Sequence, residues 1–180
     1  EFLFSTDVPI YISHVNQGGH LDNALLLTLV SEARVRFFRW LGYQGELDIE
    51  GLTIVVGDMM AQYKSEAFYG ETMQIDMVPA DFNKYGFDIV FRLQDKATGR
   101  EVARGKTGVV FVGPSPEGGK KVSGVPAAFM ARIHARQQPS HQDHRGTGQS
   151  VGSHGVHFTV KRAVAGLPPT ITTATALVPG

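Results

Sequence analysis

Asn16, His20 and Asp22 fall within seven residues and flank the pair Gly18-Gly19. Histidine moves protons near neutral pH, a carboxylate accepts them, and a side-chain amide orients a polar partner. Paired glycines let a backbone come close to a ligand. Immediately after this loop an apolar helical repeat begins, and a helix start offers free N–H groups and a positive dipole end to developing negative charge. The turn therefore suits proton transfer coupled to anion stabilisation. Each residue also has an ordinary use. His20 can satisfy a loop carbonyl, Asp22 can cap the helix, and Asn16 can sit in a turn. Glu32 stands four residues before Arg36, the spacing of a surface ion pair. Tyr63 in a strand can be packing.

The elements that must position these groups are legible from periodicity. Residues 3–13 are apolar and β-rich, with Pro9 indicating an edge or bend. From Asp22 to Leu41 the repeat Leu26, Val30, Ala33, Phe37, Leu41 is helical, widened by Leu25, Leu29, Phe38 and Trp40, so most of the circumference is expected to be buried. Gly42 ends it. The period then changes to two. A long strand is expected over 52–68, a second around Met73–Met77, a third over 85–93 and a fourth over 101–112, with 96–100 as a hairpin turn. Gly118-Gly119 falls in a loop, and Pro126–Ala135 reads as a short helix. Strand, long helix and four antiparallel strands imply an α+β layer in which one helix packs on a curled sheet.

The stretch His14-Val15-Asn16-Gln17-Gly18-Gly19-His20-Leu21-Asp22-Asn23-Ala24, followed by Ser31-Glu32-Ala33-Arg34 and Leu41-Gly42, resembles the hot-dog thioesterase superfamily in its 4-hydroxybenzoyl-CoA thioesterase-like branch. The resemblance covers residues 3–133 and implies a hot-dog fold, a homodimer or homotetramer, and hydrolysis of an acyl-CoA or acyl-carrier-protein thioester without metal or organic cofactor. Members of that branch carry an aspartate where this chain has Asn16, and Val-Asn-Asn where it has Leu21-Asp22-Asn23. An amide is a poor base, so Asn16 would hold water or the carbonyl, and Asp22 or Glu32 would be the base. The backbone of Gly19, His20 and Leu21 would form the oxyanion site, with Asn23 and Tyr63 at the substrate. A non-catalytic acyl-CoA-binding module is the alternative reading, with a hot-dog hydratase or dehydratase below it.

Composition narrows the remaining classes. The chain has 180 residues, no cysteine, and 17 basic against 17 acidic residues. This excludes disulfides, a thiolate nucleophile and cysteine-ligated metal, and gives no basic footprint for nucleic acid or anionic membrane. No apolar run reaches spanning length and no leader is legible, so a cytoplasmic location is the expectation. The body, 1–135, holds 13 basic and 16 acidic residues, and the low-complexity segment 136–180 holds one acid and four histidines. That segment reads as a disordered tail or as sequence foreign to the domain. Its two His-x-x-His spacings, at His141/His144 and His154/His157, lack a helical context, and no metal site is expected. Lys120 and Lys121 lie in an expected loop where they could touch a CoA phosphate.

Overall fold

A computed structural model describes residues 1–138; the readings for the remainder of the tail, including both His-x-x-His pairs, fall outside the described residues. The element order is β1 (Phe4–Pro9), a 3-10 turn (Ile12–His14), α1 (Asn23–Trp40), β2 (Thr53–Tyr63), β3 (Thr72–Ala80), β4 (Gly86–Asp95), β5 (Glu101–Pro114), β6 (Lys120–Val122) and α2 (Ala127–Gln137). Every pairing is antiparallel, in the order β1-β3-β4-β5-β2, with β6 on β5. This is the expected α+β hot-dog arrangement. Pro9 sits in an edge strand, where its missing N–H costs no ladder bond.

Alternation within each strand decides what α1 meets. Met73, Ile75 and Met77 of β3, Phe87, Ile89, Phe91 and Leu93 of β4, and Val109 and Phe111 of β5 are buried on the inner face. From α1, Leu26, Leu29, Val30, Ala33, Phe37 and Phe38 complete that core. The buried arc is narrower than the repeat suggested: Leu25 and Trp40 are only half-buried, and Glu32 and Arg39 face solvent. Arg34 is buried, and its Nε donates to Glu46 Oε1 at 2.6 Å, tying the loop after the helix back to it.

Three boundaries differ from the sequence reading. β1 stops at Pro9, and the chain turns through Ile12–His14 rather than continuing to residue 13 as strand. β2 ends at Tyr63 instead of residue 68, because the Val102 carbonyl accepts both the Lys64 N–H (2.8 Å) and the Ser65 N–H (3.3 Å), which breaks the ladder register. Residues 120–122, expected in a loop, form β6 opposite 112–114, with Lys120 and Lys121 exposed. Near the end of α2, Arg136 lies over the Trp40 ring at 4.6 Å and donates to the Trp40 carbonyl at 2.9 Å. Among the described residues no helix is long and apolar enough to cross a membrane.

Helix α2 closes one end of the core with a single aromatic. Phe129 is fully buried, with ring centroids 5.2 Å from Phe87, 5.3 Å from Phe111 and 6.1 Å from Phe38. The outer sheet face carries a buried ion pair: Asp76, 4% exposed, accepts from Arg92 Nη2 at 2.7 Å and Nε at 3.1 Å, and from Gln74 at 3.0 Å. Burial alone would raise the Asp76 pKa. Hydrogen bonds from Gln74, Arg92 and Ser5 outweigh it and hold the carboxyl below its ordinary value.

Two outcomes follow from these contacts. Phe129→Ala should cost about 3–5 kcal/mol, read from the urea midpoint, because the cavity lies among three rings that cannot all collapse into it. Asp76→Ala should cost about 1–3 kcal/mol at neutral pH by stranding its donors. The folded pKa of Asp76 is depressed, so its contribution is intact above the ordinary carboxylate value and is lost as pH falls through the folded value. The stability gap between wild type and Asp76→Ala should therefore shrink below about pH 4 in denaturation measured across pH.

Candidate active site

The loop before α1 is a closed hairpin. The Asp22 N–H donates to His14 O (2.9 Å) and the Asn16 N–H to His20 O (3.0 Å), with Val15 and Leu21 bridged between them. At the tip Gly19 adopts φ +82° and donates its N–H to Asn16 O at 3.0 Å. A side chain there would be strained. Gly18 leaves room for the two side chains: a Cβ would lie 2.8 Å from His20 Nε2 and 3.1 Å from Asn16 Oδ1 and would displace them.

Asn16 and His20 form a fixed pair. Asn16 Oδ1 accepts the Gly18 N–H at 2.8 Å, which orients the amide so that Nδ2 faces His20 Nδ1 at 3.4 Å. An amide nitrogen only donates, so His20 Nδ1 accepts and the neutral ring carries its hydrogen on Nε2. That nitrogen lies 3.9 Å from Glu66 Oε1.

The other wall is the segment after β2. Leu21 donates its N–H to Ala67 O at 2.7 Å and His20 bridges Phe68, so the hairpin is joined to residues 67–68. Between the two opens a cavity of about 280 Å³. Leu21, Leu26, Ala67 and Val102 supply its apolar lining, and His20, Asn23, Tyr63, Lys64, Ser65 and Glu66 its polar lining. Tyr63, 46% exposed, donates from its hydroxyl to the Asn23 carbonyl at 2.8 Å.

The fold thus gathers Asn16, His20, Leu21, Asn23 and Tyr63 and separates two others. Asp22 is the N-cap of α1: its Oδ1 accepts the N–H of Ala24 (2.8 Å) and of Leu25 (3.2 Å). Glu32 lies nine residues beyond Asn23, about 14 Å along the axis. It pairs with Arg36 at 2.8 Å, and Arg36 also donates to Thr6 Oγ1 and Asp7 O, so the carboxylate is turned toward β1. The oxyanion set contracts as well. The Gly19 and Leu21 N–H groups are already donated within the chain. Among the described residues the N–H groups of His20 and Asn23 have no acceptor in the chain, and both residues line the cavity.

Glu66 was missed because the sequence reading carried β2 through it, which makes it one more alternating strand residue. Only the register break at Val102 turns it toward His20, and no local sequence signal marks that break. No group of three or more His, Asp or Glu side chains among the described residues is placed to bind a metal ion.

The sequence profile of the thioesterase-like superfamily matches residues 11–133. No curated sequence matches the chain closely enough to identify a relative. Among solved structures, the chain is similar to a 1,4-dihydroxy-2-naphthoyl-CoA thioesterase from Synechocystis (14% identity, 76% of this chain and 98% of that one, TM-score 0.66). It is similar to a thioesterase from Thermus thermophilus complexed with coenzyme A and zinc (20% identity, 77% and 98%, TM-score 0.61). A 4-hydroxybenzoyl-CoA thioesterase carrying an aspartate-to-asparagine substitution, bound to 4-hydroxybenzoyl-CoA, shares the fold too (15% identity, 72% and 97%, TM-score 0.65). At these identities the structures attest the fold, whereas the profile spans most of the chain; the protein belongs to the thioesterase-like superfamily and is a thioester hydrolase.

Proposed function

We propose that the protein hydrolyses acyl-CoA thioesters at the His20–Glu66 cavity, working as a homodimer or larger homo-oligomer. The observation that carries this reading is the juxtaposition, at one helix start, of a carboxylate facing a histidine and a partly apolar cavity lined by two residues, His20 and Asn23, whose N–H groups have no acceptor among the described residues. The acyl group lies along Leu21, Leu26 and Val102, and its carbonyl oxygen faces the His20 and Asn23 N–H groups. Glu66, with His20 between it and the Asn16 amide, takes a proton from water as the water oxygen bonds to the carbonyl carbon. The oxyanion collapses, the C–S bond breaks, and the proton passes to the departing thiolate. Coenzyme A as the thiol, rather than a carrier protein, is supported by the two CoA-bound structures of the same fold.

Asn16 fits this scheme as an amide. An aspartate at 16 would place oxygen against His20 Nδ1 and demand a hydrogen there, taking it from the Nε2 position that faces Glu66.

Assembly is supported by β2. It is the last strand of the sheet, eleven residues long, with Val55, Val56, Met60 and Tyr63 each 42–46% exposed. A long apolar edge of this kind is a pairing surface. Tyr63 also lines the cavity, so a second copy on β2 would border the site.

Release of free thiol from a panel of acyl-CoAs tests the chemistry. Glu66→Gln, His20→Ala and Asn16→Ala should each lower kcat by about 10²–10⁴-fold with the fold intact by circular dichroism. Glu32→Ala should keep kcat within a few-fold of wild type, and Asn16→Asp should leave it unchanged or lower. Full activity in Glu66→Gln would remove Glu66 as the base.

Light scattering at micromolar concentration should give a mass of two or more chains. Val56→Lys, placing a charge on the β2 edge, should shift it toward monomer. A wild type found only as monomer would refute the assembly.

A further inference from the structure

We propose that Arg100 is a positioning residue for hydrolysis, holding segment 65–68 so that Glu66 faces His20; this rests on the role given to Glu66 above. The Glu66 side chain is 66% exposed, and the group it faces is the His20 ring at 3.9 Å. At that distance and exposure its direction is set by its main chain. That main chain lies outside the strands; the Ser65 N–H and hydroxyl donate to the carbonyls of Val102 (3.3 Å) and Glu101 (2.8 Å), and beyond residue 65 the segment is held by a single guanidinium. Arg100 Nη1 donates to Ser65 Oγ at 3.0 Å and to the Glu66 carbonyl, and Nη2 donates to Glu71 Oε1 at 2.8 Å and Oε2 at 3.0 Å. Glu71 Oε2 in turn accepts the Phe68 N–H at 3.0 Å. The clasp thus closes around both ends of the segment, while the middle of it accepts the Leu21 N–H from the His20 hairpin.

Arg100 is itself anchored. It follows the turn after β4, where Asp95 Oδ2 accepts the Thr98 N–H (3.1 Å) and hydroxyl (2.6 Å), and its own N–H donates to Thr98 Oγ1 at 3.3 Å. The Thr98 hydroxyl, with backbone N–H groups, keeps the Asp95 carboxyl below its usual range. Arg100 is 32% exposed and Glu71 26%, so solvent screens their charges. What the pair contributes is geometry: a planar fork reaches four acceptors at once, which one ammonium cannot do.

The test uses the full chain with Arg100→Gln, Arg100→Lys, Glu71→Gln, Glu66→Gln and the Arg100→Gln/Glu66→Gln double variant. Thiol release from the best acyl-CoA is read below each variant's melting temperature. Arg100→Gln should lower kcat 10–100-fold with KM within about threefold, Arg100→Lys should recover little, and Glu71→Gln should show a smaller loss of the same kind. In the Glu66→Gln background, Arg100→Gln should lower kcat by less than threefold, since the residue it positions is gone. Exchange of the Leu21 amide should quicken at least tenfold in Arg100→Gln. A lowered melting temperature with kcat unchanged, a full further loss in the double variant, or unchanged Leu21 exchange would each overturn the proposal. If Arg100→Gln fails to fold, Glu71→Gln alone and combined with Glu66→Gln separates the same outcomes. A wild type that releases no thiol, or a fully active Glu66→Gln, marks instead the failure of the function proposed above, and Leu21 exchange then still decides whether Arg100 holds the hairpin.

Discussion

The Asp22 carboxylate fixes where the loop ends and the helix begins, and the site is arranged around that choice. By taking the N–H groups of Ala24 and Leu25, it starts α1 at Asn23 rather than a turn later. Its own N–H closes the hairpin onto His14, and its carbonyl accepts from Leu26. The donors left over at this helix start are then few and specific. A residue whose type suits proton transfer is engaged as the helix cap, and its neighbours Leu21 and Asn23 line the cavity.

What could be read from the sequence divides along the same line. The 3.6-residue repeat of Leu26, Val30, Ala33 and Phe37 and the twofold alternation of Phe87, Ile89, Phe91 and Leu93 are local, and each strand or helix they predict is present. The site loop was legible as well, because Asn16, the glycines, His20 and the helix cap sit in one continuous stretch. Glu66 was not, since its meaning depends on Val102 capturing two consecutive N–H groups from some forty residues away in sequence. Glu32 shows the converse: proximity in sequence to the motif suggested a role, and helical rise carries it toward β1.

The outer sheet face shows how the fold tolerates charge where it is nearly dry. Lys106, 8% exposed, donates to Asp88 at 2.8 Å and lies 3.5 Å from Asp58. Burial pushes its pKa down, and the two carboxylates more than reverse this. The Asp76–Arg92 pair repeats the device across β3 and β4. Buried ions cost less once every partner is supplied across adjacent strands, and breaking one partner exposes the whole penalty. Such pairs also fix register, because a slip of one residue would part them.

The place of β1 in the sheet bears on how the chain emerges during synthesis. Phe4 pairs with Met77, so this strand cannot find its neighbour until some seventy further residues exist. In the interval the α1 segment has been made while the β3 and β4 residues that bury Val30 and Phe37 in the fold have not. Contacts so distant in sequence close late and slowly. In a chain of this order the apolar residues of the helix segment precede the sheet that covers them, the arrangement that leaves hydrophobic surface exposed during synthesis.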